Sequence, residues 1–500
     1  MIVTLLVVLM GALGVAAVAH RTRFQSGLII VVVAGLVSFI PGIPRLQLAP
    51  ELILTLVIPP LLYSAAVHFS VLTFLRHLRV ILALGVGLVV ATAASIGLFT
   101  LWLAPGLGLA GAFVLAAVVS PPDSVTTVRH GRELGLPKRV VAILTGESLV
   151  NDAAALTLLA VAIAAVTGEH TFIDNPALHF AYEFVAGTGI GVALGVLAVW
   201  IRHRLGNSAL ECVVGLLLPF AAYVLATQLA ASGILAVVAA GFTIGAHTSI
   251  VGSARQSVAN YRTRLQERQI WPIVDTILES FVFAYMGLQF RFVIEDLIHT
   301  PGSRVDDLGL ALAVLVAVMA VRVIVVFAAF GRFRLRRPVR LFDEGRSGLQ
   351  PHELSGREIM LVSWTGMRGI VTLAAAAGVP LTDGNVAFHG RELIQVVAYT
   401  VALGTLLIQG ITLPLLARRL RIDLSGEYDW ESRETARGLA LIADIDRDDF
   451  DAQRAVIVRA VRGRHLDDEI GDDVLHHVDL QQAAAESQVS RPTRTTAHRP

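Results

Sequence analysis

The stretch LGLAGAFVLAAVVSPPDSVTTVR, residues 107–129, is long and apolar enough to cross a bilayer, yet SPPDS at Ser120 to Ser124 interrupts it. Proline has no backbone N–H and cannot continue a helix, so carbonyl groups one turn before the break lose their usual partners. Lipid cannot hydrogen-bond to such groups, and a broken helix at membrane depth is tolerated only where it lines a cavity. The stretch therefore predicts a membrane protein with a polar interior site.

A second apolar run is broken in a similar way, in WTGMRGIV at Trp364 to Val371, where two glycines flank Arg368. The two breaks occupy matching positions in two halves of opposite topology, a pattern typical of secondary transporters whose site lies at the midplane. Half-helix ends carry about half a unit charge. We therefore expect Asp123 to compensate exposed helix amino ends and Arg368 to compensate exposed carboxyl ends.

Composition places the rest of the chain in lipid as well. Of the 500 residues, 55% are hydrophobic and 16% are charged, which is too apolar for a fold that faces water. The net charge of +1 does not suggest a nucleic-acid partner, and we interpret the single cysteine, Cys212, as a packing residue. No cofactor site is visible, because the glycine-rich segments lie in apolar runs and not in phosphate-binding loops.

Apolar runs of about 20 residues predict about 13 membrane-spanning helices. They lie near residues 2–19, 27–42, 50–68, 80–103, 107–129, 138–167, 179–201, 209–229, 232–248, 269–290, 307–331, 357–380 and 393–417. After these runs the composition turns charged, so we divide the chain into a membrane domain, residues 1–420, and a cytoplasmic tail, residues 421–500, whose end we expect to be disordered.

Loop charge predicts the orientation. Basic residues gather in alternate loops, at Arg21, Arg23, Arg76, Arg79, Arg129, Arg132, Lys138, Arg139, Arg202, Arg204, Arg255, Arg262, Arg264, Arg268, Arg332 to Arg340, Arg418, Arg419 and Arg421. The other loops contain little beyond Arg45, Arg291, Arg304 and Arg391. Because cytoplasmic loops collect Lys and Arg, we expect a protein of the cell membrane with its amino end outside and its carboxyl end in the cytoplasm.

Charged residues inside the predicted spans point to the site. They are Asp123, Glu147, Asp152, Asp275, Glu279, Arg322 and Arg368. Each costs about 2.5 to 3.5 kcal/mol at mid-helix, so they should be paired or functional. In GESLVNDAAAL, residues 146–156, helical spacing places Ser148 on the same face as Asp152, whereas Glu147 points elsewhere and should pair with a buried arginine.

The face with Asp152, Ser148 and Asn151 offers the hard oxygen ligands that a small alkali cation such as Na⁺ accepts in place of water. Because burial disfavours the charged form of a carboxyl group, a proton can compete with the cation for Asp152. If the loaded site alternates between the two faces of the membrane and the empty, charged site does not, cation and proton are exchanged.

At these residues the chain resembles the monovalent cation:proton antiporters, in particular the sodium/proton exchanger branch (NhaP/NHE-like). GESLVNDAAAL looks like the most specific motif of that family, and GMRGIVTLA, residues 366–374, resembles its broken second-half helix. The similarity extends over roughly the whole membrane domain. It implies an NhaA-like antiporter fold, all-α and polytopic, with inverted-topology repeats, two crossed broken helices, a homodimerisation subdomain and a core that moves like an elevator.

The resemblance also implies residue roles. Asp152 is expected to carry Na⁺ (or Li⁺) and the proton, with Asn151 beside it and Asp123 in the crossing. Glu147 is expected to pair with Arg322, and Arg368 to belong to the second crossing, with the accessory acid Glu279 at a position near it. Asn151 stands where electrogenic members have a second aspartate, which implies electroneutral 1:1 exchange. Departures from the family occur at Ser64, where several microbial members have an acidic residue, and at Pro122 and Ser124.

Four other functions remain open. A K⁺/H⁺ antiporter would share every feature above, because selectivity depends on cavity geometry. A cation channel is disfavoured by the interrupted halves and by the lack of a carbonyl-ring filter. A membrane-embedded aspartyl hydrolase would need Asp123 and Asp152 to face one water molecule. A membrane-embedded sensor would use the tail as its output, and only the length of the tail suggests it.

Overall fold

The structure is a computed structural model that describes residues 2–19, 21, 26–41, 43, 45–46, 49–123, 131, 134–167, 175–247, 257–299, 304–335, 354–380, 382–383, 386–387, 390–463 and 465–489. Helices form nearly all of this part of the chain. The strands in it are β1 (Thr382–Asp383) and β2 (Val386–Ala387), which pair antiparallel. The predicted all-α class is thus confirmed for the described residues.

The membrane domain contains fifteen described helices. They are α1 (Ile2–Ala19), α2 (Ser26–Ser38), α3 (residues 50–68), α4 (Val71–Leu103), α5 (Gly108–Val119), α6 (Lys138–Thr167), α7 (Pro176–Leu205), α8 (Ser208–Gln228), α9 (Gly233–Ala246), α10 (Ser257–Leu288), α11 (Phe290–His299), α12 (Arg304–Leu335), α13 (Gly356–Trp364), α14 (Ile370–Ala377) and α15 (Arg391–Leu420). Both α3 and α4 include a π-helical turn, at Ile53–Val57 and Ala83–Leu88.

By length and composition, seven helical segments among the described residues could cross a membrane. They are Val71–Leu103, Lys138–Val166, Leu178–Leu205, Ser208–Gln228, Tyr261–Glu295, Asp307–Gly331 and Arg391–Leu420. Five apolar helical segments are shorter: Thr4–Ala19, Ser26–Ser38, Ile53–His68, Pro105–Val119 and Gly233–Ala246. Residues 124–129 of the first broken run lie outside the described residues.

Two helices begin well before the apolar runs that predicted them. We expected spans near residues 80–103 and 269–290, but α4 begins at Val71 and α10 at Ser257. The added turns of α4 are partly polar, and the side chain of Ser70 caps them by accepting a hydrogen bond from the backbone N–H of Thr73. Hydropathy detects only the apolar part of a helix, so it did not predict these polar extensions.

The membrane helices form two bundles. In the first, the core bundle (α4, α5, α6, α12, α13, α14 and α15), buried side chains pack into two clusters of their own, around residues such as Val114 and Leu144. In the second, the panel (α1, α2, α3, α7, α8, α9 and α10), one large cluster also takes in apolar residues of the core bundle, among them Leu149, Met367 and Ile370. The two bundles therefore meet along an apolar seam.

The tail folds into three helices, α16 (Ser425–Ala443), α17 (Phe450–Arg462) and α18 (Asp468–Val489), around a small core that includes Ile457 and Val474. Of the end that we expected to be disordered, residues 487–489 complete α18, and residues 490–500 lie outside the described part.

The tail binds both bundles at one end, where Arg76, Lys138, Arg264 and Arg268 lie. On the panel, Arg264 Nη2 of α10 is 2.7 Å from Asp479 Oδ1. On the core bundle, Lys138 Nζ at the start of α6 is 3.1 Å from Glu431 Oε1 and 3.7 Å from Glu469 Oε2. Because most of these side chains are only partly exposed, the ion pairs contribute more than isolated surface pairs would.

Asp468, the first residue of α18, is only 8% exposed. Burial, reinforced by the neighbouring Asp467 carboxylate, raises the pKa of Asp468 to about 6. An acid with a higher pKa in the folded than in the unfolded chain adds stability below its unfolded value, near 3.9, and that stability is lost as the pH rises through the folded value. Docking of α18 should therefore be weaker at pH 7.5 than at pH 5.

We expect Asp468→Asn to increase the protection of α18 against amide hydrogen exchange at pH 7.5, because it removes a buried charge. The contact that it weakens, 3.9 Å to Arg76 Nη1, involves a half-exposed arginine and contributes little. Relative to the parent, the gain should shrink at pH 5. Asp473→Asn, at an exposed site on the same helix, is the control. Reduced protection in Asp468→Asn at pH 7.5 would contradict the expectation.

Candidate functional site

The two interrupted segments meet in the core bundle. Helix α5 ends at Val119, before Pro121 and Pro122, and the second break separates α13 from α14. At the junction, the backbone N–H of Asp123 donates a hydrogen bond of 2.6 Å to the carbonyl oxygen of Met367. Each stretch interrupts a helix, and this bond pairs a backbone donor of the first stretch with a backbone acceptor of the second.

Charged side chains occupy the helix ends at this junction. Arg368, 1% exposed, donates from Nε to the carbonyl of Val119 at 3.1 Å, at the carboxyl end of α5, and from Nη1 to the carbonyl of Gly366. Asp123 lies against Gly369, the N-cap residue of α14, so closely that an added Cβ at Gly369 would overlap its carboxylate. The positive guanidinium of Arg368 thus lies at the carboxyl end of α5, and the negative carboxylate of Asp123 lies at the amino end of α14. Both charges interact favourably with the helix dipoles.

Glu147 and Arg322 form a buried ion pair. Arg322 Nη1 is 2.6 Å from Glu147 Oε1 and Nη2 is 3.2 Å from Oε2, with side-chain exposures of 0% and 1%. Arg322 also donates to the carbonyl of Val362 near the end of α13 and packs directly on Gly366. The pair therefore joins α6, α12 and the first half of the second broken helix.

Asp152, Asn151 and Ser148 are buried on the middle of α6, at 6%, 0% and 6% exposure. The amide nitrogen of Asn151 donates to the carbonyl of Pro122, which ties α6 to the junction. Its other amide atom, Oδ1, is buried and receives no hydrogen bond from the described residues. Asp152 lies within electrostatic range of Asp123, so two carboxylates face a shared region.

The other predicted acids lie on the panel helix α10. Glu279 is half-buried there, and Asp275 is buried and accepts a hydrogen bond of 2.8 Å from Ser64 Oγ. Ser64 is the position at which we noted a departure from the related family. The structure thus brings a carboxylate to Ser64 from a different helix.

Several charged residues in or beside the predicted spans form buried contacts that the sequence did not predict. Arg202 on α7 pairs with Glu267 at 2.6 Å, and Thr263 donates to Glu211 at 2.6 Å, all in a buried group. Glu183, in the first half of α7, accepts a hydrogen bond from Thr157 of the core bundle. A search for single charges within each run would have found Glu183 and Glu211, because isolated charges in lipid require a partner.

No group of three or more His, Cys, Asp or Glu residues within the described ranges is arranged to hold a resident metal ion.

Comparison with known proteins matches residues 5–419 to the family described as "Sodium/hydrogen exchanger, transmembrane". An uncharacterized Na(+)/H(+) exchanger of Mycobacterium tuberculosis is 33% identical over 83% of this chain and 74% of its own length. A sodium, potassium, lithium and rubidium/H(+) antiporter of Bacillus subtilis is 32% identical over 76% and 55%, respectively. A Na(+)/H(+) antiporter of Aphanothece halophytica is 28% identical over 83% and 74%.

Among solved structures, the sodium proton antiporter MjNhaP1 from Methanocaldococcus jannaschii superposes with a TM-score of 0.61. The match covers 84% of this chain and 98% of the other at 17% identity, so it shows a similar fold and nothing further.

We expect Gly369→Ala to destabilise the protein by about 1 to 3 kcal/mol, because the new Cβ would displace the Asp123 carboxylate from the amino end of α14. Thermal unfolding in detergent measures the change. Gly356→Ala is the matched control, since a Cβ there meets nothing within 4 Å. Equal melting temperatures for both variants would show that the contact with Asp123 is not tight.

We expect Arg322→Met to cost about 3 to 5 kcal/mol, because it leaves Glu147 buried without its partner. The double variant Glu147→Leu/Arg322→Met should recover part of this loss, since it removes both charges together. The same unfolding assay, run as a double-mutant cycle, gives the coupling. Additive losses would argue against a stabilising pair.

Proposed function

Since the chain belongs to the sodium/hydrogen exchanger family, we propose that Asp152 is the group at which it binds the cation and the proton that it exchanges. The chain is a sodium/proton antiporter, and hence a secondary transporter and not an enzyme. The site and the movement described below are proposals built on that activity.

The observation that carries the proposal is the distribution of charge around Asp152. The two buried arginines of the core bundle are already engaged, Arg322 by Glu147 and Arg368 by backbone carbonyls. From the described residues, the carboxylate of Asp152 takes neither a hydrogen bond nor an ion pair. It therefore remains available for a cation or a proton from solution.

Oxygen atoms around Asp152 suit a small alkali cation. The buried Oδ1 of Asn151 has no donor among the described residues, which is the condition expected of an atom kept for a ligand. Ser148 lies one helical turn before Asp152, and Asp123 lies within electrostatic range. We propose that Asp152, Asn151, Ser148 and Asp123 bind Na⁺ (or Li⁺) in place of its hydration shell.

Exchange follows from competition for a single anionic group. When Na⁺ leaves, Asp152 is a buried carboxylate near the Asp123 carboxylate, an arrangement that favours uptake of a proton. Both loaded forms neutralise one charge, whereas the empty form carries it into a low-dielectric region at high cost. One cation per proton, and therefore electroneutral exchange, is the stoichiometry that we propose.

The helix inventory supports the proposed architecture. The seven long segments, the five shorter ones and the interrupted pair α13 and α14 correspond to thirteen crossings. We propose that they form inverted repeats whose broken helices cross at Asp123 and Met367. The core bundle would move against the panel in an elevator-like motion, and the panel would mediate homodimerisation. The apolar seam between the bundles suits such sliding, because apolar contacts are not directional.

Orientation is proposed from charge. Arg76, Lys138, Arg264 and Arg268 lie at the end of the bundles to which the tail docks. By the positive-inside rule this end faces the cytoplasm, which places the amino terminus outside, and we propose the cell membrane as the location.

Potassium is the second candidate substrate. The Bacillus subtilis relative is named for sodium, potassium, lithium and rubidium, so the same family includes a protein of broad selectivity. Ser64 paired with Asp275, in place of an acidic residue at position 64, is the feature of this chain that could change the ligand set.

We expect Asp152→Asn to abolish exchange, because an amide can neither bind Na⁺ as an anion nor release a proton. The measurement is dissipation of a pH gradient in vesicles after addition of Na⁺, Li⁺ or K⁺, with the membrane potential shunted. A repeat without the shunt should give the same rate if exchange is electroneutral. Asp429→Asn, at an exposed tail position, is the control. Exchange by Asp152→Asn at the parent rate would contradict the proposal that Asp152 binds the exchanged ions.

A further inference from the structure

A carboxylate that neither the proposed ion site nor the junction uses lies at the seam between the bundles. Glu183 on α7 accepts a hydrogen bond at Oε2 from the hydroxyl of Thr157 on α6. Its second oxygen, Oε1, is 3.3 Å from His179 Nε2, one turn earlier on α7. Side-chain exposures of 16% for Glu183 and 8% for His179 place the group inside the protein.

The surroundings of this group are apolar. A small cavity beside it is lined by Val150, Ala153, Ala154, Phe180 and Phe184 together with Thr157. A carboxylate in such a place is costly unless its oxygens are bonded, so the contacts with Thr157 and His179 are what make it tolerable.

Glu183 is anchored firmly to the panel. Its backbone carbonyl accepts a hydrogen bond of 3.3 Å from the N–H of Ser232, at the start of α9. One turn further along α7, Gly187 packs against the backbone of Ser232 with no room for a side chain. The bond to Thr157 therefore crosses from a fixed element of the panel to a helix of the core bundle.

Thr157 lies on the same helix as Asp152, five residues further on. At about 1.5 Å per residue, it is about 7.5 Å beyond Asp152 and on the side away from the docked tail. Any movement of α6 that carries Asp152 from one face of the membrane to the other must take Thr157 past Glu183.

We propose that Glu183, held by His179, is a positioning residue for transport: it grips Thr157 and stabilises the arrangement in which α6 and α7 are closed on the outer side of Asp152. This inference rests on the proposed function, because it requires Asp152 to be the moving site. The bond exists in one arrangement only, so its loss shifts the population toward the arrangement open to the outside.

The test compares Thr157→Val, which keeps the shape but removes the hydroxyl, with Thr157→Ser, which keeps the hydroxyl. Apparent KM for Na⁺ is measured at the outer face in right-side-out membrane vesicles and at the cytoplasmic face in everted vesicles. For Thr157→Val we expect a three- to tenfold lower KM at the outer face and no decrease at the cytoplasmic face, in line with the net contribution of one ordinary hydrogen bond. Thr157→Ser should match the parent.

Glu183→Gln provides a second test, because an amide oxygen can still accept from Thr157 but more weakly. It should shift KM in the same direction by a smaller factor. If Glu183 bound the cation directly, Glu183→Gln would raise KM at both faces, and the proposal would be overturned. An unchanged or higher outer-face KM in Thr157→Val would also overturn it.

These outcomes are separate from a failure of the proposed function. If the parent exchanges and Asp152→Asn does not, an unaltered Thr157→Val removes only the role of Glu183. If Asp152→Asn exchanges normally, the proposed ion site itself is wrong.

Discussion

The guanidinium of Arg368 donates to the carbonyl of Val119 at the point where α5 stops inside the membrane domain. Lipid cannot supply that bond, and an interrupted helix without it would leave carbonyl groups unsatisfied at a cost of several kcal/mol each. Asp123 performs the opposite task against Gly369 at the start of α14. Because protein groups compensate both helix ends, the break does not require a bound cation to satisfy it, and a polar site can exist at this depth.

The same compensation leaves both arginines engaged, which supports the proposed role of Asp152 in transport. Arg368 donates to backbone carbonyls and Arg322 pairs with Glu147, so neither arginine neutralises Asp152. An arginine paired with Asp152 would hold the carboxylate permanently charged and would exclude Na⁺ from it. The Glu147–Arg322 pair has a further consequence, because it joins α6 to α12 and, through Val362, to α13. Helix α6 and the first half of the second broken helix, α13, are thereby held together through Arg322.

Sequence reasoning reached the parts of this molecule that lipid constrains most strongly. The breaks at SPPDS and GMRG, the apolar runs and the charges on α6 follow from the absence of water in the bilayer core. It missed Glu183 because a run of about 20 residues tolerates one charge without losing its average hydropathy. It missed the carboxylate that Asp275 brings to Ser64, since that contact joins helices 211 positions apart. The docking of the tail was equally hidden, because exposed charges carry no periodic pattern.

Polar contacts across the seam would limit the movement that we propose for the core bundle. Most of the seam is apolar and tolerates a shift, since no specific partner is lost. The hydrogen bonds from Thr157 to Glu183 and from Tyr399 to the carbonyl of Met286 join specific partners, so the proposed movement would have to break them. At the end where the tail docks, Asp479 of α18 pairs with Arg264 of the panel, and Glu469 of the same helix pairs with Lys138 of the core bundle. In the proposed movement, the apolar part of the seam would slide, and the few directional bonds across it would favour the arrangements in which they are made.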